Sequence, residues 1–281
     1  MKQYLLILLG LLSCIISPQA AAQIEMRLSP VRTSYVAGEA ASFELTIVNQ
    51  TDATIALKNT PGRPWLNVQI YARGQGMPIT PIAAPKFPAT TITPGSTRSF
   101  RLNTKSFYHL GNTGNYYAVA TIRMPDGRYT YSSNRAHFAM ENGAEVRSFK
   151  IQARGQRLLV SLRMAQIEQQ VWLFGQIRDI DTQRIVNTCI LAQYLNFMKP
   201  VVMLDAAQNM HVLCQSTPKI YTYAVMNTKG DRASHKLYNR IGGSMVDLIS
   251  TGRGIQPVGL SPYVAPKASE KNIRKASDRP F

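Results

Sequence analysis

The clearest alternation of apolar and polar positions in this chain runs through residues 110–140. Apolar side chains recur at every second residue in two runs, and Pro125, Asp126 and Gly127 supply turn chemistry between them. A period of two residues predicts half-buried strands, and a turn between two such runs predicts a β-hairpin. The predicted inward-facing residues of this hairpin are Tyr116, Ala118, Ala120, Ile122, Ala136, Phe138 and Met140.

The same period organises the chain before this hairpin. Short apolar alternations are separated by turn residues, such as those at 38–39 and 49–52. They predict a succession of short strands, which need an opposing sheet to bury their apolar faces. The apolar positions are Ile24, Met26, Leu28, Tyr35, Val36, Phe43, Leu45, Ile47, Ile55, Leu57, Trp65, Val68 and Ile70.

Four prolines within residues 78–88 interrupt this pattern. Because proline cannot donate a hydrogen bond to a central ladder, the segment is predicted to be an edge or a long loop. It has two interpretations, an ordinary crossover between strands or a rigid binding loop that exposes Phe87. Phe107 and Tyr108, further along the chain, are expected to pack beneath the loop.

A polar, glycine-containing stretch at residues 141–145 marks the predicted boundary between two domains. Strand signals resume after it, between residues 149 and 177. Residues 182–196 fit a helix through one set of apolar positions and a strand through another, so their structure stays open. Four short strands joined by turns then predict an antiparallel meander, at residues 200–204, 210–214, 219–226 and 232–238.

Some of these motifs occur in known folds. Gly114 followed by Tyr116 at the start of a strand resembles the tyrosine corner of immunoglobulin-like sandwiches, where the phenol packs inward and its hydroxyl returns to the backbone. The order of segments 42–49, 93–100 and this strand resembles bacterial immunoglobulin-like or fibronectin-like modules of secreted proteins, over about residues 24–140. Gly114, Tyr116 and Phe138 are therefore expected to be structural residues.

The fold class implied by this resemblance is all-β. It places an immunoglobulin-like β-sandwich at residues 23–144, and the strand signals that follow predict a second antiparallel β domain at residues 145–251. The meander of the second domain is similar to one blade of a propeller, but no period near 40 residues recurs, so we predict a single four-stranded sheet. Residues 252–281 are basic and nearly lack apolar residues towards their end, which predicts a largely disordered tail.

The first 22 residues have the order of a secretory signal peptide: Lys2, an apolar run, and small residues at Ala20 and Ala22. Cleavage there would leave Gln23 as the first residue of a periplasmic or secreted protein without a transmembrane segment. The alternatives are an uncleaved anchor, for which the apolar run is shorter than the roughly 20 residues required, and lipidation at Cys14.

Two cysteines remain after cleavage, Cys189 and Cys214. In an oxidising compartment such a pair predicts one disulfide, with metal binding or a reactive thiol as alternatives. The formal net charge of +17 falls to +16 when Lys2 is removed. This charge is spread along the chain, so it favours encounters with anionic polymers but also serves ordinary solubility.

Few residues point to chemistry. The glycine-rich turns at 241–244 and 251–254 match no phosphate-binding motif. Asp179 and Asp181 are predicted to lie in a hairpin turn, and His211 is expected to be a satisfied or surface histidine rather than a ligand. No catalytic, cofactor-binding or metal residues are predicted.

The expected function is therefore that of an exported, non-catalytic binding or structural protein of the cell envelope or surface. Its partner would be a protein or an anionic envelope polymer, without specific nucleic-acid recognition. The alternative is a carbohydrate-active or other hydrolytic enzyme with an immunoglobulin-like accessory domain, whose site would assemble from distant strands.

Overall fold

The computed structural model describes residues 24–127 and 129–264. The predicted signal peptide and the last part of the predicted tail lie outside these residues. The described chain is built of antiparallel strands with one 3₁₀ turn at Thr104–Ser106, which confirms the all-β prediction. It divides into two compact units. The first contains the described residues up to Tyr35 and Ala40–Glu141, and the second contains Val36–Glu39 with the described residues from Asn142 onward.

In the described chain, ten strands come before the boundary at Glu141. They are β1 (Ile24–Pro30), β2 (Ser34–Val36), β3 (Ser42–Asn49), β4 (Ile55–Leu57), β5 (Leu66–Ala72), β6 (Thr90–Ile92), β7 (Thr97–Asn103), β8 (Gly114–Arg123), β9 (Thr130–Ser132) and β10 (Ala136–Glu141). One sheet has the order β1-β3-β7 and another has the order β2-β10-β8-β5, with β9 beside β8, while β4 and β6 pair separately. Inward residues of the two larger sheets join in one hydrophobic core, which includes Leu28, Phe43, Val68 and Ala120.

The hairpin predicted for residues 110–140 consists of β8 and β10. Tyr116 pairs with Phe138 and Ala118 with Ala136, and all seven predicted inward residues are buried. Apolar and polar residues alternate in the sequence of these strands because one face of each strand packs on the core while the other face remains outside it.

The proline-rich segment, which the structure describes throughout, contains no strand before Thr90. Phe87 packs against the core, with its ring 6.2 Å from that of Trp65 and 6.3 Å from that of Phe107. The indole Nε1–H of Trp65 donates to the carbonyl of Pro88 at 3.1 Å. The segment is thus a crossover anchored by Phe87, and the interpretation as a loop that exposes Phe87 is wrong.

Eleven strands of the described chain follow the boundary. They are β11 (Ala144–Ala153), β12 (Gln156–Ile167), β13 (Gln170–Asp179), β14 (Ile185–Gln193), β15 (Val201–Leu204), β16 (Met210–Gln215), β17 (Ile220–Met226), β18 (Arg232–Arg240), β19 (Asp247–Thr251), β20 (Gly254–Val258) and β21 (Leu260–Pro262). The ambiguous segment 182–196 is therefore largely strand β14. The four predicted meander strands are present, as β15 to β18.

Two sheets of the second unit share a core. Their orders are β11-β12-β13-β14 and β15-β16-β17-β18-β21, so β21 makes the second sheet five-stranded, where four strands were predicted. Leu162, Leu173, Met210, Val212 and Met226 belong to the core between them. The other face of the five-stranded sheet is covered by the β19–β20 hairpin, through Leu248 and Ile255.

The prediction of a disordered tail from residue 252 is wrong for residues 254–262, which form β20 and β21. Two features hold them. Tyr238 of β18 pairs with Pro262, and Ile255 is buried in a cluster with Leu213 and Tyr223. The apolar residues of this segment were too few to show a period, yet they fill places on a face that the meander leaves uncovered.

The second unit also includes a distant part of the chain, the turn Val36–Glu39. The carbonyl of Ala37 accepts hydrogen bonds from Thr188 Oγ1 at 2.7 Å and from Gln176 Nε2 at 3.0 Å. Gly38 has a φ of +85°, and a Cβ placed on it would lie 2.4 Å from Cγ2 of Ile185. This position therefore needs glycine for both its backbone conformation and its close packing.

Candidate binding surface

The three residues predicted to be structural lie together at the start of β8. Tyr116 is buried, stacks on Phe138 with ring centroids 5.6 Å apart, and donates its hydroxyl to the carbonyl of Asn112 at 2.8 Å. Burial raises the pKa of the Tyr116 phenol. Gly114 has a φ of +145°, in the region that favours glycine. These contacts join the strand to the preceding loop. They use both the ring and the hydroxyl of Tyr116, so neither group is accessible to a ligand.

The predicted disulfide between Cys189 and Cys214 is absent from the described residues. Cys189 lies on β14 opposite Gly175, whereas Cys214 lies on β16, in the other sheet of the second unit. The thiol of Cys214 instead donates to the carbonyl of Gln193 at 3.8 Å. Burial raises the pKa of the Cys214 thiol to about 12, so this side chain acts as a small core residue.

The acidic pair Asp179 and Asp181 lies in the turn after β13, as predicted. Asp179 Oδ1 accepts from the backbone N–H groups of Thr182 and Asp181 at 2.8 and 2.9 Å, and Asp181 forms an ion pair with Arg157. Hydrogen bonding by Thr182 is the largest cause that lowers the pKa of Asp179. Both carboxylates therefore stabilise the turn.

His211 is buried in a row of polar groups that sequence did not reveal. Its Nε2 lies 3.0 Å from Oδ2 of Asp205, its Nδ1 lies 2.6 Å from the hydroxyl of Tyr223, and that hydroxyl lies 3.0 Å from the carbonyl of Ile255. Although burial raises the pKa of Asp205, hydrogen bonds from His211 and Asn209 bring it below its ordinary value. Desolvation raises the pKa of the Tyr223 phenol. The row joins the meander to the covering hairpin. Both ring nitrogens of His211 have a hydrogen-bond partner within the protein, as expected for a histidine that is not a ligand.

The outward side of β5, β8 and β10 carries a different feature. Tyr71 and Tyr117 face each other across β5 and β8, with rings 4.9 Å apart and only 7° from parallel. His137 continues the row on β10, 5.8 Å from Tyr117, and the guanidinium of Arg135 lies 5.0 Å above the Tyr117 ring. We call Tyr71, Tyr117 and His137 the aromatic row.

A cleft of about 450 Å³ lies on the same side of this sheet. Asn67 of β5 and Thr121 of β8 line it, and they pair with each other four residues along the strands from the two stacked tyrosines. Arg63 and Arg123 contribute the cationic part of the lining. Because four residues of strand span about 13 Å, the cleft and the aromatic row form one continuous strip.

The outward positions of β5 and β8 have a distinctive composition. They carry aromatic, amide, hydroxyl and guanidinium groups with one valine, and no carboxylate. Tyrosine rings offer apolar surface together with a hydroxyl group, amides pair with hydroxyl groups, and guanidinium groups bind carboxylate or phosphate in pairs of hydrogen bonds. We call this set the outer strip: Asn67, Gln69, Tyr71, Asn115, Tyr117, Val119, Thr121 and Arg123.

The alternation in the sequence identified the inward residues of β8 but not the outer strip. The signal that could have found the outer strip is the set of odd-numbered positions in 67–71 and 115–123, which are polar or aromatic throughout except for Val119. Their alignment depends on the register between β5 and β8, which no local pattern reveals.

Comparisons with known proteins give no family. No protein-family model matches the chain, and a search of curated proteins finds no match. Within residues 24–127 and 129–264, no three His, Cys, Asp or Glu side chains are grouped as a metal site would require. The same part of the chain contains no helix long and apolar enough to cross a membrane.

Proposed function

We propose that this protein is an exported, non-catalytic binding protein that holds an anionic polysaccharide of the cell envelope or surface. Its first unit would be an immunoglobulin-like β-sandwich, and the outer strip would be the binding surface. The observation that carries the proposal is the composition of this strip, in which aromatic rings, amides and an arginine are aligned over two paired strands without a carboxylate.

Each part of the outer strip suits a part of such a polymer. The apolar face of a sugar ring stacks on an aromatic side chain, and amide groups exchange hydrogen bonds with sugar hydroxyls. Arg63 and Arg123 in the cleft match a carboxylate or sulfate group on the polymer. The overall charge of +17 favours the approach of any polyanion.

Single-stranded nucleic acid also binds to aromatic and basic strips. The polysaccharide is favoured because the first 22 residues have the pattern of an export signal. An exported protein is separated from the nucleic acids of the cytoplasm and meets the polymers of the envelope and surface instead.

Affinity electrophoresis and titration calorimetry with polygalacturonate, neutral dextran and single-stranded DNA test the proposal. Replacing Arg63 and Arg123 by Gln should weaken polygalacturonate binding about tenfold or more, because each lost charged hydrogen bond costs roughly 1.5–3 kcal/mol. The control removes two arginines of the β1-β3-β7 sheet, by Arg27→Gln with Arg98→Gln, and has the same net charge.

The control pair should change binding less than about twofold, as expected for screened distant charges. Equal losses in both pairs would show that binding follows net charge alone and would contradict a defined surface. Tighter binding of single-stranded DNA than of polygalacturonate would contradict the proposed polysaccharide ligand and would indicate nucleic acid as the ligand.

A further inference from the structure

Three loops of the second unit meet at one end of its five-stranded sheet. Residues 194–200 lead into β15, residues 216–219 join β16 to β17, and residues 241–246 follow β18. The backbone N–H of Leu195 donates to the carbonyl of Gln215, which ties the first loop to the end of β16. Ile220 pairs with Asn239, so the second and third loops leave the sheet at the same end.

The first and third of these loops expose large apolar side chains. Phe197 and Met245 each have 79% of their surface accessible, Met198 has 50% and Ile241 has 48%. Single exposed apolar residues are common on protein surfaces, but a group of them at one end of a sheet marks a contact site.

The loops are fixed by hydrogen bonds, so the apolar side chains are presented by ordered backbone. The hydroxyl of Tyr194 donates to the carbonyl of Met198 at 2.6 Å, and the N–H of Phe197 donates to the carbonyl of Leu195 at 2.7 Å. In the third loop, the guanidinium of Arg240 donates twice to the carbonyl of Ser244, at 3.2 and 3.3 Å. A preformed surface loses little conformational entropy on binding.

The charged residues within these loops have one sign. Lys199, Lys219 and Arg240 lie in the loops or directly beside them, and residues 194–200, 215–220 and 239–246 contain no Asp or Glu. The first carboxylate after them is Asp247, at the start of β19. We call these loops with their exposed residues the loop tip.

We propose that the loop tip binds the surface of a lipid bilayer that contains anionic lipids. Phe197, Met198, Ile241 and Met245 enter the boundary between headgroups and acyl chains, while Lys199, Lys219 and Arg240 remain at the level of the headgroup phosphates. Apolar groups that insert and basic groups that stay outside are the two components of interfacial binding.

The observations favour a bilayer over a protein partner for two reasons. The apolar side chains stand on separate loops, as suits insertion at several points into a fluid surface. The basic residues around them have no acidic neighbour within the loops, which matches a partner of uniform negative charge. This proposal concerns the second unit and does not depend on polysaccharide binding by the first.

Co-sedimentation with vesicles tests the proposal, using phosphatidylcholine alone and phosphatidylcholine mixed with phosphatidylglycerol. Phe197→Ser combined with Met245→Ser should weaken binding to the mixed vesicles about tenfold or more, since two apolar side chains no longer leave water. The matched control is Met77→Ser with Ile82→Ser, two exposed apolar residues of the first unit. All variants carry the same residues 1–23, so the comparison isolates the loop tip.

The control pair should bind like the unchanged protein. A second measurement uses Phe197→Trp, whose fluorescence should shift to shorter wavelength on mixed vesicles, whereas that of Met77→Trp should stay unchanged. Equal binding by both serine pairs, equal binding to both vesicle types, or no shift for Phe197→Trp would overturn the proposal. Protein that binds neither vesicle would overturn it as well.

Discussion

The hydroxyl of Tyr223 lies 2.6 Å from Nδ1 of His211 inside the second unit. The row of polar groups ends at Asp205 on one side and at the carbonyl of Ile255 on the other, and an ionised carboxylate and a carbonyl only accept hydrogen bonds. The row thus links the strand β16, the turn at Asp205 and the hairpin β19–β20.

Tyr223→Phe should lower the free energy of unfolding by about 1–3 kcal/mol, because it leaves the carbonyl of Ile255 and a nitrogen of His211 without their partner. Chemical denaturation measures this loss. Tyr238→Phe is the control, since the ring of Tyr238 also packs near Tyr223, with centroids 6.5 Å apart. If Tyr238→Phe lowers the free energy of unfolding as much as Tyr223→Phe does, the loss is not specific to the hydroxyl of Tyr223.

The carboxylate of Asp205 gives stability a dependence on acid pH. Its pKa in the folded protein is below the ordinary value, so its contribution is present above the unfolded pKa of about 3.9 and is lost as the pH falls through the folded pKa. The difference in unfolding free energy between the unchanged protein and Asp205→Asn should therefore be largest near neutral pH and shrink below about pH 4. A difference that grows towards acid pH would contradict this assignment.

Tyr116→Ala should be strongly destabilising, by about 3–5 kcal/mol, because it removes a buried ring that stacks on Phe138. Tyr116→Phe removes only the hydrogen bond to Asn112 and should cost about 1 kcal/mol. Tyr129→Ala removes an exposed ring of the same size and should change stability by less than about 0.5 kcal/mol. Urea denaturation of the three variants should give this order, and a Tyr129 loss equal to that of Tyr116→Ala would contradict it.

Gly38→Ala should destabilise the second unit by more than Gly95→Ala destabilises the first. Both glycines have positive φ, +85° and +68°, so both substitutions cost about 1–2 kcal/mol for a left-handed alanine. Only at Gly38 does the added methyl also meet Ile185, and overpacking of this kind costs a further 1–3 kcal/mol or so. Thermal unfolding of the two variants checks the difference, and equal losses would show that the turn Val36–Glu39 yields to the methyl group.

Protein that lacks residues 1–22, and with them Cys14, should yield two alkylatable thiols after denaturation in the absence of reductant. In the native protein at pH 8, Cys214 should resist iodoacetamide, since it is buried and its pKa is about 12. Peptide mass mapping after alkylation measures both. A gain of two mass units on reduction would show that a disulfide forms after all.

The sequence predicted strands well where one face of the strand is buried and the other is exposed. In β8 and β10 this contrast produces a period of two, and every inward residue was assigned correctly. In β16 both faces are covered, so Met210, His211, Val212, Leu213 and Cys214 are all buried and alternation no longer distinguishes the faces. In β14 the register shifts against β13, which blurs the period further and explains why helix and strand could not be separated there.

The candidate surfaces were less accessible to prediction than the strands. The outer strip depends on the pairing of β5 with β8, two strands about 50 residues apart that are brought together by the fold. The loop tip depends on three loops, of which two carry a few exposed apolar residues, and its exposed Phe197 is indistinguishable by pattern from the buried Phe174. Sequence shows which side chains are available, whereas tertiary contacts decide which of them reach solvent.

The hairpin β19–β20, which covers the outer face of the meander, is made after the strands that it protects. While the ribosome still holds residues 247–258, the apolar side chains of Leu213, Tyr221 and Tyr223 have no cover. A nascent chain at this stage exposes the apolar face of the sheet. Exposed apolar surface of this kind promotes aggregation and is bound by chaperones. The second unit can therefore bury these side chains only after β19 and β20 have been synthesised.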